Sequence, residues 1–101
     1  MQIESEKPQE GLEEYVPEFL DSRDQDILLL KAALAQEDFE TIRRKAHDWK
    51  GFSRPFGFLK LEGIAKKLEE AAKSAASTEC SQLLEEAETY LQKKRELISN
   101  V

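Results

Sequence analysis

Apolar residues recur at helical spacing along nearly the whole chain, and little interrupts them. Val16, Leu20, Ile27, Leu30 and Leu34 stand three, four or seven positions apart, the period of one buried face of an α-helix. Leu61, Ile64, Ala65, Leu68 and Ala72 repeat the pattern, and so do Leu83, Leu84, Ala87, Leu91 and Ile98. With three prolines and four glycines in 101 residues, the chain lacks the turn residues of a β-sandwich, and it has no β-branched runs. The period is that of helices.

Punctuation divides the pattern into four. Residues 1–11 are polar and acidic with Pro8 among them, and they read as a flexible tail. A Tyr15-Val16-Pro17 step leads into a first helix, with Pro17 in its first turn and an end near residue 35. Asp38 is suited to cap a second over residues 39–53, which Pro55 and Gly57 close. A third is expected from residue 58 or 59 to residue 76, and Ser77 or Thr78 is suited to cap a fourth. One domain over residues 12–101 is the expectation: an all-α, antiparallel up-down four-helix bundle with a short N-terminal lead-in.

The chain is 40% apolar and 36% charged with a net charge of −6, but the distribution says more than the sum. Residues 1–26 hold nine acids against two bases. Residues 41–60 hold Arg43, Arg44, Lys45, Lys50, Arg54 and Lys60 against Asp48 alone, and the only histidine lies among them. Six cations on an acidic domain make a poor footprint for nucleic acid; an acidic partner or a phosphoryl group fits better. No apolar run exceeds four residues, such as 27–30, where a membrane span needs about 20. No secretory h-region is visible, and the lone Cys80 points to a reducing cytoplasm. One His and one Cys offer no metal cluster.

On a wheel of about 100° per residue, Phe39, Ile42, Ala46, Trp49, Ser53 and Phe56 gather on one side and should face the core. His47 lies away from them. Its neighbours along the helix are Arg43 and Arg44 one turn before, Lys50 and Gly51 one turn after, and Arg54 two turns after. Gly51 is out of place by propensity, since a helical glycine costs about 1 kcal/mol relative to alanine. Four positions after His47, it clears space beside the imidazole for the backbone of another protein. Lys50, three after, can set an ammonium beside whatever the imidazole carries. Exposed histidines and charge runs are nevertheless mostly solvated surface, and on these residues alone both readings stay open.

The run Ala46-His47-Asp48-Trp49-Lys50-Gly51, followed by Phe56-Gly57, Leu61, Ala65 and Leu68-Glu69, resembles the signature of histidine-containing phosphotransfer (Hpt) domains: Ala-His-x-Leu-Lys-Gly, an aromatic-Gly turn, then spaced apolar positions ending in Leu-Glu. The register holds over about 24 residues. Tyr15-Val16-Pro17-Glu18-Phe19-Leu20 and Asp38-Phe39 add to the resemblance, which spans about residues 12–98 and weakens toward the end. Trp49 stands where the family has Leu or Met, and Phe52 where a small residue is common; neither touches the acceptor chemistry. The resemblance implies a four-helix bundle with His47 as exposed phosphoacceptor, Lys50 as phosphate-stabilising cation and Gly51 as the clearance position. Arg43, Arg44 and Arg54 would form a basic rim for docking, a role resting on spacing alone.

The expected activity is a phosphorelay. Neutral His47, through Nε2, takes a phosphoryl group from a receiver-domain aspartate and passes it to another. Partners would be response-regulator receiver domains and a hybrid sensor histidine kinase. The chain, expected to be monomeric, needs no cofactor of its own; Mg²⁺ would sit in the receiver. No glycine-rich nucleotide loop is present, so no ATP-dependent kinase activity is expected. The alternatives are an adaptor that docks receivers or kinases without carrying phosphate, and a helical structural protein.

Overall fold

A computed structural model describes residues 7–99, without the side chains of residues 98 and 99. Four helices follow one another: α1 Val16–Ala35, α2 Phe39–Phe52, α3 Leu59–Lys73 and α4 Ser77–Ser99. Each packs on two neighbours, α1 on α2 and α4, and α3 on α2 and α4. Cross-helix pairs give the directions. Phe19 meets Phe52 while Asp26 meets Trp49, so α1 and α2 are antiparallel. Arg54 meets Glu62 while Lys50 meets Glu69, and Arg95 meets Asp21 while Lys31 meets Glu88. The bundle is up-down-up-down, about 39 Å long and 22 × 20 Å across.

The core contains the stripes expected from the sequence, together with Phe19, Ala33, Phe58, Ala71, Cys80 and Tyr90, which were on none of them. Val16, Leu20, Ile27 and Leu30 of α1 are buried, with Leu34 packed at their margin. Ile42, Ala46, Trp49 and Ser53 are fully buried, and Phe39 and Phe56 are partly buried against the core. Leu61, Ile64, Ala65, Leu68 and Ala72 line α3, and Leu83, Leu84, Ala87 and Leu91 line α4. Ile98, expected on that stripe, has its side chain outside the described residues. Burying a side chain of this size stabilises by about 1.5–3 kcal/mol, and the four stripes together hold the bundle.

Most helix boundaries fall close to expectation, and the end of α3 and the cap of α4 do not. Asp38 caps α2 as expected: its carboxylate accepts from the Thr41 backbone N–H at 3.2 Å and from the Thr41 hydroxyl at 2.6 Å. By contrast α3 stops at Lys73, short of the expected residue 76, because Ala75 takes a left-handed conformation at φ 53°. The backbone N–H of Ala76 then returns to the Ala71 carbonyl at 2.9 Å. Ser77 is already the first residue of α4, so neither Ser77 nor Thr78 is its cap; the Ala76 carbonyl opens the helix by accepting from Cys80 N–H.

Between α2 and α3, a 3-10 turn Arg54–Phe56 leads to Gly57 at φ 84°. A Cβ there would lie 2.4 Å from the Lys7 carbonyl carbon. Residues 7–11, expected within the tail, lie against this turn: Gln9 N–H donates to the Pro55 carbonyl at 2.7 Å. Residues 1–6 of that tail lie outside the described residues. Lys94 of α4 also reaches the turn, donating to the Gly57 carbonyl at 2.9 Å.

Candidate functional site

His47 sits midway along α2 because its neighbours on the wheel divide cleanly. Trp49, one side round, is fully buried, and its indole N–H donates to Asp26 of α1 at 2.8 Å. That bond fixes the rotation of α2 about its axis and turns His47 outward, where its side chain is 63% exposed. Phe52, expected at the core margin, lies there, edge-on to Phe19 and under the Arg23 guanidinium.

The imidazole is exposed but held. His47 Nδ1 lies 3.1 Å from Glu69 Oε2 on α3. The other oxygen of the same carboxylate accepts from Lys50 Nζ at 2.8 Å. Glu69 is only 8% exposed at its side chain, so it is a buried anchor between two more exposed groups. The Lys50 ammonium, with help from His47 and from Lys73 nearby, holds its carboxyl below the ordinary carboxylate range despite burial. An ionised Glu69 can only accept, so the Nδ1 it faces carries the proton. The lone pair is then on Nε2, the outward nitrogen. A nucleophilic nitrogen, an ammonium beside it and a carboxylate fixing both make up the constellation.

Gly51 faces open space: a Cβ there would meet nothing within 4 Å. Its absence of side chain answers no crowding inside this molecule, so the clearance is available to an approaching one. Of the six sequence-predicted residues, the structure brings His47, Lys50 and Gly51 together around one spot.

The three arginines expected on the rim each have a carboxylate partner. Arg43 and Arg44 share one carboxylate, Glu40, through Arg43 Nε at 3.1 Å and Arg44 Nε at 3.1 Å. These bonds, that of Arg43 foremost, pull the Glu40 pKa down to about 2. Arg54 makes a two-pronged pair with Glu62 of α3, at 3.1 and 2.8 Å. The reason lies in tertiary packing: α3 sets Glu62 and Glu69 along its seam with α2. Sequence reasoning missed both as partners, although it noted Glu69 in the run Leu68-Glu69. Their seven-residue spacing, two turns apart beside Leu61 and Leu68, was the available signal.

A family model for the Hpt domain matches residues 14–97. The chain belongs to the Hpt domain family. Searches of curated proteins and of solved structures gave no match. Membership gives this Hpt domain a phosphotransfer role in two-component signalling, as a phosphocarrier of a family without kinase activity. It also implies receiver domains and kinases as the kinds of protein the Hpt domain meets. Among the described residues no helix is long and apolar enough to cross a membrane. No group of three or more His, Cys, Asp or Glu side chains there could hold a metal ion.

Proposed function

We propose that this Hpt domain is a phosphorelay intermediate whose acceptor is His47. The observation that carries the reading is the Glu69 carboxylate at 3.1 Å from Nδ1, which leaves the exposed Nε2 as the basic nitrogen. Nε2 donates its lone pair to the phosphorus of a receiver aspartyl phosphate. The bond from phosphorus to the aspartate oxygen breaks, and the carboxylate leaves with its electron pair. Positive charge that develops on the ring is met by Glu69 through the Nδ1 proton, which stays on His47. Lys50 offsets charge on the equatorial phosphoryl oxygens. The reverse sequence delivers the group to a second receiver aspartate. Mg²⁺ belongs to the receiver in this scheme, a hybrid sensor kinase is the source of the phosphate, and a monomer in the cytoplasm is the acting form.

Gly51 lets the receiver backbone come close enough for in-line transfer. The test is incubation with phosphorylated receiver domains. Acid-labile, alkali-stable label is expected on the wild-type protein and none on His47→Gln. Equal label on the variant would sink the assignment of His47. Receiver binding with no label at all would instead favour an adaptor.

A further inference from the structure

A receiver that transfers to His47 must centre its interface there. A standard interface covers about 800 Å² per partner, a disc of about 16 Å radius. Arg54 follows His47 by seven residues, about 10 Å along the helix direction, and its side chain is 65% exposed. It therefore lies inside the footprint. So does its partner Glu62, which is 15% exposed and faces a receiver whose reacting centre is itself acidic. At the other end of the stripe two arginines share Glu40, which leaves one positive charge to attract a partner. The Arg54–Glu62 pair leaves none. Docking an acidic surface on this end thus meets a neutral pair in which the carboxylate is repelled and the arginine is already occupied.

We propose that Arg54 is a receiver-docking residue held in reserve by Glu62, and that docking exchanges the Glu62 carboxylate for a carboxylate of the receiver. The proposal rests on the phosphorelay reading. Glu62, set in the α2–α3 seam, keeps its place during the exchange, while the exposed guanidinium swings outward about its own long stem. Because the Arg54 guanidinium is itself exposed, solvent already competes for it; the exchange is inexpensive, and it selects partners that present an acidic group at the right distance from the reacting aspartate.

The experiment is the association rate of a receiver domain that labels His47, held in its beryllofluoride-activated form, with the wild-type protein, Glu62→Gln, Arg54→Gln and the double variant. Glu62→Gln frees Arg54 and should raise the rate about two- to fivefold at low salt, with a steeper fall as salt is added. In the Arg54→Gln background the same substitution removes only the repelled carboxylate and should gain less, since there is no arginine to release. Phosphohistidine lifetime should be the same in all four proteins. An equal gain from Glu62→Gln with and without Arg54 would mean a general charge effect, and an unchanged rate would mean no exchange; either overturns the proposal while label on His47 leaves the phosphorelay standing. Absence of label from the wild-type protein with every receiver would end the phosphorelay reading and this proposal with it.

Discussion

Replacing Glu69 by alanine removes a carboxylate that touches both His47 and Lys50. The fold should survive, because Glu69 makes its bonds at the seam and not in the apolar core. Its loss frees the imidazole to rotate and to exchange tautomers, so Nε2 is no longer always the basic nitrogen. A hydrogen bond to a charged group is worth about 1.5–3 kcal/mol. Here the imidazole is 63% exposed, so solvent competes and the lower half of that range applies. At about 1.4 kcal/mol per tenfold change, phosphotransfer should slow roughly ten- to fortyfold. Glu69→Gln can still accept one bond and should lose less. The assay is single-turnover transfer from a phosphorylated receiver, with the His47 tautomer followed by nitrogen-15 chemical shifts. Wild-type protein should show neutral His47 as the Nδ1–H tautomer. The depressed Glu69 carboxyl keeps its bond above its ordinary range and loses it only as pH falls through the lowered value. Alanine at position 69 with an unchanged rate and an unchanged Nδ1–H tautomer would refute this reasoning.

Other perturbations separate structure from docking. Gly51→Ala and Gly63→Ala both place a methyl group where nothing lies within 4 Å, so each should stabilise the fold by about 0.5–1 kcal/mol in thermal melts; only Gly51→Ala should slow transfer, and equal transfer from both would deny Gly51 its clearance role. Gly57→Ala should destabilise by more than about 1 kcal/mol, since φ is 84° and the new Cβ would strike the backbone of Lys7. A neutral melt would contradict that turn. Asp26→Ala leaves the buried Trp49 indole N–H without its acceptor at 2.8 Å and should cost about 2–3 kcal/mol, read as a Tm lower by about 8–24 °C. Asp26→Asn should cost less, and a change within the noise for alanine would remove the bond from the account of how α2 is oriented.

What could be read in the sequence followed from local periodicity. The stripe of Ile42, Ala46 and Trp49 fixes which side of α2 is buried, and His47 follows outward from it. Asp38 with Thr41 three residues on is a local cap, and Pro55 with Gly57 is a local stop. What could not be read was tertiary. Glu69 meets His47 across 22 residues, and in sequence it is one of several charges on a helix whose outer face is charged throughout. The partner of Arg54, Glu62, lies past a turn on another helix, out of reach of spacing within α2. The end of α3 was overshot because Ala75 adopts a positive φ that alanine rarely signals; neighbouring hydrogen bonds, not residue preference, hold it there. Trp49 showed its apolar side in the pattern, but the polar tip that ties it to Asp26 required knowing which helix lay opposite.

The proposed relay turns on one nitrogen atom, Nε2 of His47. Phosphorylating nitrogen-15-labelled protein through a receiver domain and recording phosphorus–nitrogen coupling would locate the bond directly. A single coupling to Nε2 of His47, with Nδ1 still protonated and facing Glu69, is the expected result. Coupling to Nδ1, or a phosphoryl group on any other side chain, would contradict it.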